Sequence, residues 1–488
     1  MTRRWTLLLI LLAVAVTATI ALVVYNRRPD EDAGSRLWIP KPTRLTPEIV
    51  RLQQYVRIDT SRHNEIDGAR FLAAILEQAG VHPEIIESAP GRAAVVARIK
   101  GRAEGEGLLL LNHLDVVPAN PAGWTRPPFA AAIHANMIWG RGTLDMKGIA
   151  ICQLEAFLDL ARSRRVPERD VVFLATADEE NDGVMGMAWL LAHRPDVIRG
   201  VRYALNEGGV TETLQERVSY FGIEIGTKMM SRLRLHAATR EALQRTRIAL
   251  EPRIAPEDPG RVLPEVRRFL HQIAPFRVEE HARLDDVDRT IAQGKFWLLP
   301  LGYRELTQNV LWVGGIQTQG GEPVMPANLY CLPDELPERH VELLQKQVAP
   351  FGARVEVVRL NGPAPLTSPD TPMWALLARE IRREYGSGFA IGTQINTASY
   401  NDSRFLRARG IDAYGVWPFP VDFYQTEGIH GIDERIRADW FMQGVSLMKR
   451  VVHGYAFDPL PPSPAGVTRS VAQRPQKPSE SSPMKTPS

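Results

Sequence analysis

The sequence predicts an α/β protein with a second domain inserted into the first, and two observations predict it. From residue 47 to 217, short apolar runs of strand length alternate with amphipathic helical stretches. A block of different texture, 218 to 360, then interrupts the alternation, which resumes from 361 to 458. The length agrees: 488 residues exceed one ordinary core and favour roughly two to three domains. A hydrophobic content of 44% and a charged content of 24% are those of a globular chain, and a net charge of +3 gives no reason to expect nucleic acid as a partner. Cys152 and Cys331 are the only cysteines, so no disulfide framework is read.

In chain order, the first element runs from Trp5 to Tyr25 without a charged residue, long enough to cross a bilayer as a helix of about 20 residues. Arg27 and Arg28 follow where a signal peptide would carry a small-residue cleavage site. Residues 1–28 are therefore expected to be an uncleaved, single-pass membrane anchor, with the catalytic part periplasmic or otherwise outside the cytoplasmic membrane. A polar linker covers 29–46. At Pro47 a helical pattern begins, with Ile49, Leu52 and Val56 on one face. Strand-like runs follow at Ala94 to Ile99, Leu108 to Leu111, Val171 to Ala175 and Arg202 to Leu205, interleaved with helical stretches at Phe71 to Ala79, Ile149 to Ala161 and Gly186 to His193. The inserted block pairs strand-like Tyr220 to Ile225, Arg232 to Leu235 and Val310 to Ile316 with charge-rich helices. The tail, 459–488, is rich in Pro, Ser and Gln without apolar periodicity and is expected to be disordered.

Ligands of α/β sheets collect at the carboxyl ends of strands. His113, Glu179, Glu180 and Glu207 all fall just past such ends, Asp145 lies in the glycine-flanked run Gly140 to Gly148, and His430 lies between Gly428 and Gly431. Taken singly, a His after a strand or an adjacent acidic pair is ordinary surface. Their joint occurrence in five separate segments carries the reading. His113, Asp145, Glu180, Glu207 and His430 are residue types that hold two zinc ions. Their three carboxylates and one hydroxide would balance the charge of such a pair, which removes the cost of burying unpaired charge. A zinc pair would lower the pKa of a water to roughly 7. Glu179, next to a ligand but not one itself, is placed to move a proton from that water to a leaving amine. Asp115, two residues past His113, is placed to orient the imidazole.

The ordered set His113-Leu114-Asp115-Val116-Val117-Pro118, Trp124 to Phe129, Gly140 to Gly148, Asp178-Glu179-Glu180, Asn206-Glu207-Gly208-Gly209 and Gly428-Ile429-His430-Gly431 resembles the zinc-dependent carboxypeptidase and aminoacylase family, over about Pro47 to Tyr455. The family includes carboxypeptidase S and succinyl-diaminopimelate desuccinylase. The resemblance implies a di-zinc aminopeptidase-like catalytic domain, a mixed sheet flanked by helices, with a smaller inserted α+β lid that often forms a homodimer. It further implies His113, Asp145 and Glu207 around one zinc and Asp145, Glu180 and His430 around the other, with Asp145 bridging. Glu179 would be the general acid/base, Asp115 the orienting carboxylate and Arg404 an anchor for a substrate carboxylate.

The inserted block departs from the family. Its usual Gly-His-Ser-Ser, whose His stabilises the oxyanion, is absent; the corresponding region reads Arg232 to Arg240, with His236, His271 and His281 as the candidate substitutes. Losing an oxyanion donor costs a factor of about 10² to 10³ in rate. The expected function is a membrane-anchored di-zinc metallopeptidase or aminoacylase. It would cleave an amide beside a free carboxylate in a short peptide or N-acyl amino acid. The alternatives are a catalytically impaired zinc-binding protein and an N-acyl amino acid synthase.

Overall fold

The apolar runs assemble mainly into two sheets, and the larger places His113, Glu179, Glu180 and Glu207 at or just past the ends of its strands. The computed structural model describes residues 43–463 apart from 210, 215–216, 252–260, 278–279, 300, 398–399 and 422–425. The first nine strands are β1 (Glu84–Ala89), β2 (Arg92–Ile99), β3 (Ala103–His113), β4 (Ala132–His134), β5 (Met137–Trp139), β6 (Arg169–Thr176), β7 (Val201–Asn206), β8 (Thr211–Leu214) and β9 (Arg217–Thr227). The rest are β10 (Met229–Ala237), β11 (Val310–Val313), β12 (Gln317–Gln319), β13 (Glu322–Cys331), β14 (Ala353–Arg359), β15 (Ala390–Asn396), β16 (Asp412–Gly415) and β17 (Arg435–Arg437).

The large sheet has the order β1-β2-β6-β3-β7-β16-β9-β15, with β8 beside β9. It is mixed: β3 runs parallel to β6 and β7, whereas β2 runs antiparallel to β1 and β6. Leu108 to Leu111 of β3 are all fully buried because both faces of the sheet are covered, which is why that strand reads as continuous apolar sequence. Leu108 and Leu110 face the cluster that includes the helices Lys147–Arg162 and Ala438–Phe457. Leu109 and Leu111 face the opposite cluster with Met187, Leu190 and Leu191 of the helix Met187–His193. β4, β5 and β17 form a small third sheet.

The inserted block is not one unit. β9 belongs to the large sheet, and the helix Pro264–Ile273 buries Val266, Leu270 and Ile273, a helical stripe, in the core of that sheet. The second sheet, β11-β13-β10-β14 with β12 on β13, draws its core from 233–250 and 311–353, with Leu235, Met325 and Leu329 against the helices Arg240–Ala249 and Pro337–Val348. An amphipathic stripe shows that a helix packs, not against which sheet, so the expected block of 218–360 divides here.

The membrane expectation is corrected. Among the described residues no helix is long and apolar enough to cross a membrane, so the described structure gives neither the expected single-pass anchor nor anything that holds the catalytic part outside the cytoplasmic membrane. The run Trp5 to Tyr25 and the tail from 464 onward lie outside the described residues.

Candidate active site

The carboxyl ends of β3, β6 and β7 lie side by side, and each passes into a differently constrained loop. β3 ends on His113, which is 1% exposed. Its Nδ1 lies 2.8 Å from the Asp115 carbonyl oxygen, so a proton there leaves Nε2 as the binding nitrogen. That Nε2 lies 3.1 Å from Asp145 Oδ1 and 3.6 Å from Glu207 Oε1. The Asp115 carboxylate does a different job from the one its spacing suggests. It stands 3.6 Å from the ring and accepts the backbone N–H groups of Glu179 and Glu180, at 3.2 and 3.0 Å.

After β6, the chain turns through Asp178 in the left-handed region into the tight turn Glu179–Asn181. The Asp178 carboxylate is held by Arg92 and by the Met185 N–H. After β7 comes Glu207, then Gly208 with φ 113°; a Cβ there would meet Glu224 Oε2 at 2.1 Å, so only glycine fits. Asn401 Nδ2 spans the same place, donating to the Glu207 carbonyl and to Glu224, each at 3.1 Å.

Asp145 sits in a loop clamped by a residue that the sequence reading passed over. Glu434 is fully buried, and its carboxylate accepts from Arg141 Nη1 (2.7 Å), Gly142 N (2.9 Å), Leu144 N (2.7 Å) and Asp145 N (3.2 Å). It follows His430 by four residues, so one side chain ties the His430 loop to the Asp145 loop. Its only signal in the sequence was an acidic residue three positions after Gly431. His430 Nε2 reaches Asp145 Oδ2 at 3.1 Å and Glu180 Oε2 at 3.0 Å.

The structure therefore brings the five expected ligand residues into two triads, His113–Asp145–Glu207 and Asp145–Glu180–His430, with the candidate ligand atoms of each within 4.8 Å of one another. Asp145 belongs to both through different oxygens. Burial, then Asp145, raises the Glu207 carboxyl to about 8, and burial with Glu207 holds Glu179 well above the usual carboxylate range. Burial alone would lower His113, but Glu207 and Asp145 outweigh it and hold the ring well above its ordinary value; hydrogen bonds with Asp145 and Glu180 raise His430 to about 10. Glu180 and Glu207 carboxyls that resist ionising, beside imidazoles that resist losing a proton and an Asp145 carboxylate that those imidazoles hold ionised, form a donor set short of positive charge. Divalent cations fit that deficit, and the nitrogen and carboxylate donors suit zinc.

The triads open on a cleft of about 910 Å³, which Asp145, Glu179, Glu180, Glu207 and His430 line on one side and Met230 and Arg232 of β10 line on another. Arg404 is not on that lining. It is 5% exposed, donates to the Asp182 carbonyl at 2.6 Å and lies over the rings of Tyr400 and Phe405. The candidate substitutes for the missing histidine are elsewhere too: His236 pairs with Glu356 and His271 with Asp285, and neither these nor His281 is among the residues lining the cleft.

A mixed sheet flanked by helices, with two His–carboxylate triads sharing an aspartate at its carboxyl edge, defines a class of α/β protein with a candidate dinuclear metal site. The chain belongs to peptidase family M20/M25/M40, whose model matches residues 109–454. It is 27% identical to aminoacylase-1 of Sus scrofa over 429 residues, covering 86% of this chain and 97% of that protein. It is 34% identical over 137 residues to a probable succinyl-diaminopimelate desuccinylase of Staphylococcus aureus, a match that covers 28% of this chain and spans about a third (34%) of that relative's length. Among solved structures, an M20 family metallo-carboxypeptidase from Sulfolobus solfataricus shares the fold, with a TM-score of 0.65 at 18% identity over 84% of this chain and 99% of that one.

Proposed function

We propose that this chain is a zinc-dependent amidohydrolase of the peptidase and aminoacylase type, cleaving an amide or peptide bond next to a free carboxylate in a short peptide or N-acyl amino acid. The observation that carries the reading is the double use of Asp145, whose two oxygens face two separate His–carboxylate sets. His113, Asp145 and Glu207 would hold one zinc ion, and Asp145, Glu180 and His430 the other. Bound there, the pair would supply Lewis-acid chemistry, acidifying a water and polarising a carbonyl. Glu179 lines the cleft without belonging to either triad. Its place in the cleft, beside Glu180 in the chain but outside both triads, suits a group that would take a proton from the attacking water and pass it to the leaving amine. Asp115 holds the His113 ring through its carbonyl and the Glu179–Glu180 turn through its carboxylate. The second sheet would serve as the lid over residues belonging to the large one.

A second reading, a catalytically impaired zinc-binding protein, is favoured by the absence of His236, His271 and His281 from the cleft. Release of free amine from a panel of dipeptides and N-acyl amino acids, with zinc and after chelation, separates the two. Zinc-dependent release by the wild type and none by Glu179→Ala is the expected result. Folded, zinc-loaded protein that releases nothing would favour the binding role. Product analysis under condensing conditions tests synthase activity at the same site.

A further inference from the structure

β10 alternates strictly: Leu233 and Leu235 enter the core of the second sheet, and Arg232, Arg234 and His236 stand on its other face. Arg234 and His236 are both met by Glu356 of β14. Arg232 is in another situation, because its cross-strand partner is Arg359. Like charges directly opposite on neighbouring strands destabilise a sheet. One carboxylate stands between them, that of Asp182, 3.1 Å from Arg232 Nη1 and 3.4 Å from Arg359 Nη1. Asp182 comes from the large sheet: its N–H closes the Glu179 turn on the Glu179 carbonyl at 3.1 Å.

Arg232 thus lines the cleft, with its side chain 45% exposed, fastened to the turn that presents Glu179. A guanidinium has five N–H donors in a planar fork. The ion pair with Asp182 is the only one Arg232 makes among the described residues, which leaves most of the fork for a ligand. Among the described residues the other arginine lining the cleft is already neutralised: Arg277 pairs with Glu212 and donates to the Tyr303 hydroxyl. From this geometry we infer that Arg232 binds the free carboxylate of the substrate, the role for which Arg404 is too deeply buried. The inference rests on the amidohydrolase reading and names the residue that would give it its preference for acids.

Binding measured in the Glu179→Ala protein tests it without turnover, with an N-acetyl amino acid and its carboxamide as the two probes. Adding Arg232→Ala is expected to weaken the carboxylate by about tenfold or more while the carboxamide changes by less than about twofold. Arg232→Lys should recover part of the loss, since it keeps the charge without the fork. In otherwise wild-type protein, the same change should raise KM for the acid and leave kcat close to its starting value. Equal weakening of both probes, no weakening, or no measurable binding of the carboxylate to the parent protein would overturn the assignment. Selective loss in a protein that releases no amine would sink the hydrolase reading alone. Amine release without selective loss would sink the role of Arg232 alone.

Discussion

Two polar surfaces line the cleft, the carboxyl edge of the large sheet and the outer face of β10, and they are built on different principles. On the first, His113, Glu180, Asp145 and Glu207 have side-chain exposures of 1%, 8%, 16% and 16%, and His430 alone, at 51%, is open to the cleft. The groups behind them fix their geometry: the Asp115 carbonyl, Asn401 and, above all, Glu434. On the second, Arg232 is 45% exposed and anchored by one shared aspartate. The comparison shows where tolerance to change should lie. An acidic edge set by buried hydrogen bonds is pre-organised, whereas a half-exposed arginine held by one buried aspartate has fewer constraints on its side chain. The histidine expected from the family resemblance is not found on the second surface, while all five expected ligand residues come together on the first.

The sharpest way to break this comparison is Asp145→Ala. Because the residue is common to both triads, metal analysis is expected to show loss from both sites together with loss of turnover, against loss from one site in His430→Ala; unchanged zinc in Asp145→Ala would refute the shared role. Next comes Glu179→Ala, expected to lower turnover by a factor of about 10² to 10⁴ with zinc content unchanged. Loss of zinc there would make Glu179 a ligand instead. Glu434→Ala strands Arg141 in the interior and removes the acceptor of three loop N–H groups. Denaturant unfolding should show a loss of about 3 to 5 kcal/mol, accompanied by weaker zinc binding. The smallest effect belongs to the opposite surface: His236→Ala should change the steady-state rate by less than about twofold, since the ring faces Glu356 and not the cleft. A large loss of kcat would return His236 to the part of the missing histidine.

The contrast also tracks what could be read in advance. The acidic edge was legible because each expected ligand follows an apolar strand or sits among glycines, and both signals are local. Glu434 was not, since nothing near it in the chain announces that it will accept four hydrogen bonds from a loop some 290 residues earlier. Arg404 was expected at the substrate because the loop Asn401 to Arg404 resembles a family stretch, Thr-Asp-Ser-Arg, and such a resemblance does not tell whether the arginine faces the cleft or lies beneath it. The helix Pro264–Ile273 showed its apolar stripe plainly and still joined the sheet it was not expected to join.

The sequence by itself determined the α/β alternation, the fully buried central strands and the set of residue types suited to two metal ions. Periodicity and strand ends are written in neighbouring residues. Only the tertiary structure decided that both oxygens of Asp145 are engaged, that Asp115 works through its carbonyl, and that Arg232 rather than Arg404 reaches the cleft. Those outcomes depend on long-range packing and cross-strand register, which bring together side chains that share no local pattern.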